Sequence, residues 1–98
     1  MKTDRITDGK LRRYTEITEH AISKLIISVP EEGLLRKAAE DYLSMAKNYY
    51  NDSKHFASEG DFVNAFACLN YAYGWIDAGA RLGLFNVGSD HKLFTLSK

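Results

Sequence analysis

Two charged residues stand alone in the long apolar run of residues 62–84: Asp77 and Arg81, four positions apart. Tyr71, Tyr73 and Trp75 precede them closely. A guanidinium beside aromatic rings can hold a carboxylate or phosphate while a ring stacks alongside it. A small-ligand or nucleotide-binding reading of Tyr71, Trp75, Asp77 and Arg81 is therefore chemically coherent. The same spacing has a simpler meaning. Residues four apart on a helix are neighbours, and an acid and a base placed there neutralise each other in an apolar setting. Structural ion pairs often mimic sites, and no cleft is evident around this one, so the ion-pair reading is preferred.

Arg13 and His20, in "RYTEITEH", are seven positions apart and so share one helical face. Their spacing resembles the Arg-six-residues-His pattern of ribonucleases of the HEPN type, in which both side chains face a dimer cleft. The likeness is confined to two residues, and it falls on the first helix rather than a late one. A pair of solvated surface residues is the preferred reading. His55 and Glu59 have a spacing that could set two metal ligands on one face, but one such pair is half a site. His91 has no evident partner. No residue is assigned a catalytic role, and no cofactor or metal is expected.

These residues must be positioned by a chain of 98 residues, the length of a single domain, 1–98, with one core. Lys plus Arg and Asp plus Glu both total 13, so no net field gathers a polyanion around the protein, and nucleic-acid binding is not favoured. The single cysteine, Cys68, excludes an intramolecular disulfide and suits a reducing, cytoplasmic setting. The opening "MKTDRITDGKLRR" is charged from its second residue and is not read as a secretory signal. The uncharged part of the late apolar run, residues 62–76, is shorter than the roughly 20 residues a membrane span needs and contains Asn64 and Asn70. No membrane association is expected.

Periodicity predicts three helices, over about 7–28, 32–59 and 62–84, followed by a tail at 86–98. In the first, Leu11, Tyr14, Ile17, Ala21, Leu25 and Val29 recur at steps of three and four, and Thr7 or Asp8 can cap the start. The second follows "SVPEEG", where Ser28 and Glu31 have capping-box spacing. It carries Leu35, Ala38, Tyr42, Met45, Tyr49, Ser53 and Phe56 on one stripe. "EGD" then predicts a tight helical hairpin, with Gly60 in the left-handed conformation and Asp61 capping the third helix. "EGDFVNAF" is similar to a tetratricopeptide turn, but no second copy exists to build a solenoid.

The third helix has three apolar stripes. One is Phe62, Phe66, Leu69, Tyr73, Ile76, Ala80 and Leu84, a second is Ala65, Cys68, Ala72, Gly79 and Gly83, and a third is Ala67, Tyr71, Trp75, Ala78 and Leu82. Two neighbours cannot cover three stripes. Gly79 and Gly83 have the spacing of a close helix crossing. The fold expected is all-α, a three-helix up-down-up antiparallel bundle without a sheet, with a short C-terminal tail packed on it through Leu93, Phe94 and Leu96. Self-association is the natural supplement to the tail.

The block "YYNDSKHFASEGDFVNAFACLNYAYGWIDAGARLGLF", preceded by "LRKAAEDYLSMAKN" and followed by "KLFTL", resembles the archaeal domain of unknown function 357 family. The resemblance implies a small three-helix bundle from an archaeal cytoplasm. It implies no activity and carries no catalytic residues. The function expected is a non-enzymatic interaction or self-association module using residues 62–84 and the tail, with a homo-oligomer or a protein as partner. The alternative is a small-ligand or nucleotide-processing protein built on Arg81 and its aromatics, or a HEPN-like ribonuclease built on Arg13 and His20.

Overall fold

A computed structural model describes residues 6–87 of the chain. Three helices dominate, α1 (Asp8–Lys24), α2 (Leu34–Ser58) and α3 (Phe62–Arg81), with two short strands, β1 (Ile26–Ile27) and β2 (Phe85–Asn86). The fold is the expected all-α bundle running up, down and up. Helices α2 and α3 form its closely packed hairpin, and α1 lies across them. Thr7 caps α1 by accepting from the amide of Lys10 at 3.1 Å. Gly60 closes α2 at φ +78°, and Asp61 caps α3 by accepting from the amide of Asn64 at 3.2 Å. The "EGD" hairpin thus has the predicted chemistry.

The other helix ends differ from expectation. Helix α1 stops at Lys24, because Ile26, Ile27 and Val29 are β-branched and Pro30 restricts the residue before it. Ser28 is no cap: its amide donates to the carbonyl of Leu84 at 2.9 Å and its hydroxyl to that of Gly83 at 3.0 Å. Helix α2 instead begins after Gly33, at φ +114° and without a side-chain cap. The two strands pair antiparallel, Ile26 with Asn86 and Ile27 with Phe85, so the expectation of no sheet fails by this one short ladder. Helix α3 ends at Arg81. Gly83 lies beyond it at φ +80°, so it takes no part in a helix crossing.

Three apolar clusters run along the bundle. Leu11, Tyr50, Ala65, Leu69 and Ala72 fill one end, Ala21, Ala46 and Ile76 the middle, and Ala39, Leu84 and Phe85 the end closed by the strands. On α2 the fully buried positions are Ala39, Ala46, Tyr50 and Ser53. Of the predicted stripe only Ser53 is among them, and Leu35 is exposed. The buried arc is turned because α2 touches α1 as well as α3, while Tyr42, Met45 and Tyr49 lie half-buried along its edge. The tail is expected at residues 86–98. Val87 packs against the strand-end cluster, whereas residues 88–98, with Leu93, Phe94 and Leu96, lie outside the described residues.

Candidate functional site

Helix α3 sorts its three stripes by depth. Ala65, Cys68, Leu69, Ala72, Ile76 and Gly79 are buried against α1 and α2. At Gly79 the ring of Phe85 occupies the space a Cβ would take, so the close approach expected there is made by a side chain and not by a helix. Burial, and to a lesser degree the charge of Asp52, pushes the Cys68 thiol above its ordinary range, which makes it unreactive.

The outward stripe is different. Val63, Tyr71 and Leu82 are 63%, 59% and 64% exposed, and Gly74 is exposed between them. An open groove of about 380 Å³ runs over this face, lined by Asn70, Tyr71, Gly74, Trp75 and Ala78. Its edge is set by two aromatic contacts to α2. Tyr71 lies against Tyr49 with ring centres 5.2 Å apart, and Trp75 meets Tyr42 edge-on at 4.9 Å. Beyond the helix's own adjoining turns, no described residue lies within 4 Å of where a Gly74 Cβ would stand. A glycine inside a helix costs about 1 kcal/mol relative to alanine. Here no turn and no neighbour among the described residues requires it. The sequence signal for this residue is a glycine between Tyr71 and Ala78 in a strong helical pattern, which inspection of Gly79 and Gly83 passes over.

Asp77 and Arg81 form the expected pair, with Arg81 Nε donating to Asp77 Oδ2 at 2.9 Å. The hydrogen bond to Asp77 and its charge raise the guanidinium's pKa above its ordinary value. The Arg81 side chain is 79% exposed and that of Asp77 30%, so the acid is partly buried as the sequence implied while the guanidinium lies at the surface. Neither residue lines the groove beside Tyr71 and Trp75, so the four candidate residues are not gathered around one cavity.

Arg13 and His20 are both exposed on α1. His20 borders a wide depression with Glu16, Glu19, Ile17 and Ser23, which Arg13 does not line. Two carboxylates beside the histidine make this a poor place for a phosphate backbone. On the inner side of the same turn, Glu19 accepts a 2.7 Å hydrogen bond from Tyr50, whose pKa is pushed up to about 12, first by burial and then by Glu19. Thr18 Oγ1 is buried without a partner among the described residues. His55 meets Glu59 at 3.4 Å as an exposed pair. No group of three or more His, Cys, Asp or Glu among the described residues could hold a metal ion. No helix among them is long and apolar enough to cross a membrane. His91 lies outside the described residues.

No curated protein and no solved structure matches the chain. A family model does, over residues 13–85, the stretch that holds nearly all of the bundle and the whole outward face of α3. The chain belongs to this family, the proteins of unknown function DUF357.

Proposed function

We propose that the protein is a non-enzymatic interaction module whose contact surface is the outward face of α3, and that self-association is the use of that surface. The observation that carries this is Gly74. A residue that weakens its own helix lies in an apolar groove where no described part of the chain packs against it. Exposed Val63, Tyr71 and Leu82 extend the same apolar face along α3. A cytoplasmic setting belongs to this reading, since the buried thiol of Cys68 is free.

Gly74→Ala tests the reading directly. On a face that only meets water, the added methyl raises helix stability by about 1 kcal/mol and leaves the solution mass unchanged. On a contact surface it fills the groove, and assembly measured by sedimentation weakens. The second outcome is expected. A more stable variant of unaltered mass would sink the proposal.

A further inference from the structure

Resting on the contact-surface reading above, we infer that the occupant of the α3 groove is the α3 of a second copy of this chain, laid antiparallel so that each Tyr71 ring seats over the other copy's Gly74. Ala67, Tyr71, Gly74 and Ala78 follow one another at steps of four, three and four. At about 100° per residue they fall within an arc of roughly 60°, which is the narrow seam along which two helices pair. The order of steps reads the same in both directions about the midpoint between Ala72 and Tyr73. A two-fold axis there places Tyr71 level with Gly74 of the other copy, and Ala67 level with Ala78. The seam is self-complementary: an exposed ring meets an open glycine, and small residues meet small residues. Tyr49 holds the ring of Tyr71 from below, so the part that projects is already oriented.

Charge decides between the two directions of pairing. The four seam residues are uncharged, and the ions nearest them are Asp77 and Arg81, on the same outward side. A parallel pair would bring Arg81 level with Arg81 of the other copy across the seam, which is unfavourable. The antiparallel pair brings Asp77 of one copy within about 3 Å, along the axis, of the level of Asn70 in the other, whose amide can donate to it. The pairing that fits the ring to the glycine is thus also the one that avoids like charges.

Disulfide mapping tests the register. Ala67→Cys and Ala78→Cys chains, each also carrying Cys68→Ala, are oxidised separately and as a mixture. Two copies of position 67 lie about 16 Å apart along the axis in this arrangement, as do two copies of position 78, beyond disulfide reach. Only the mixture should cross-link, with the mixed disulfide exceeding either homodisulfide by roughly tenfold or more. Homodisulfides from the separate chains would overturn the antiparallel register while leaving α3 as the contact surface. A one-chain mass for the unaltered protein at all concentrations, whether the face is bare or covered by the tail, would overturn the pairing itself. Joined to a more stable Gly74→Ala, that mass would also remove the contact-surface reading.

Discussion

The inward and outward faces of α3 are both apolar, yet among the described residues only the inward one is covered. Leu69 and Ile76 are fully enclosed by α1 and α2, and at Gly79 the ring of Phe85 supplies the missing volume. Across the helix, no described residue packs over Gly74, and Val63, Tyr71 and Leu82 keep more than half their surface open. The outer face of α1 makes a useful contrast, since there Arg12, Arg13 and Glu16 meet water with charge, and His20 beside them is polar. Apolar residues are therefore not the default dress of an outer helix in this protein. The two glycines of α3 therefore differ: Gly79 is matched by the ring of Phe85, whereas Gly74, under the proposal above, leaves room for a partner.

Five substitutions break or sharpen this contrast, compared at concentrations where the chain is a single copy. Leu69→Ala should cost about 3 kcal/mol in a denaturant melt, because it opens a cavity in a fully enclosed site. Val63→Ala should stay within about 0.5 kcal/mol under the same conditions. Equal losses at the two positions would erase the contrast. Gly79→Ala should cost about 1–3 kcal/mol, since the buried Phe85 ring must give way, and a neutral result would mean that the ring has somewhere else to go.

The fourth substitution probes the α1–α2 side of the core. Tyr50→Phe removes the hydrogen bond to Glu19, a loss of about 1 kcal/mol given that Glu19 is itself exposed. It also changes the response to alkali. The Tyr50 pKa lies at about 12 in the folded chain against an ordinary 10.0, so its stabilising contribution is complete below pH 10 and is lost as pH rises through 12. The parent should lose more stability than the variant over that interval, and parallel curves would refute the assignment. Smallest of all, Arg81→Gln should leave the melting temperature nearly unchanged, because the guanidinium itself is exposed and its attraction to Asp77 is screened by water. A clear drop would show that the pair braces something beyond the helix.

Much of this architecture was legible in local chemistry. Gly60 and Asp61 announce their turn because the left-handed φ and the cap are properties of two adjacent residues. The three stripes of α3 separate because its apolar residues are dense enough to define every face. What stayed hidden depends on partners far away in sequence. Ser28 resembles a cap by spacing, but its hydrogen bonds go to Gly83 and Leu84, which no local pattern connects to it. The inward side of α2 is marked by Ala39 and Ala46, whose small side chains give a weak periodic signal beside Tyr42 and Tyr49. At the candidate site the aromatic and charged residues were visible as types. Their separation, with Tyr71 and Trp75 on the groove and Arg81 off it, depends on how far each side chain reaches.

The ladder between β1 and β2 has a consequence for the order in which the chain acquires its structure. It joins residues some 60 positions apart, whereas the hairpin of α2 and α3 closes over a turn of three residues. Closing the shorter loop sacrifices less chain entropy, so the hairpin can form early and the ladder only once α1 has docked. Ser28→Ala, which deletes the side-chain bond to Gly83, should accordingly quicken unfolding and leave the refolding rate nearly untouched. Stopped-flow measurements of both limbs would decide it, and slowed refolding would place the clasp among the first contacts made.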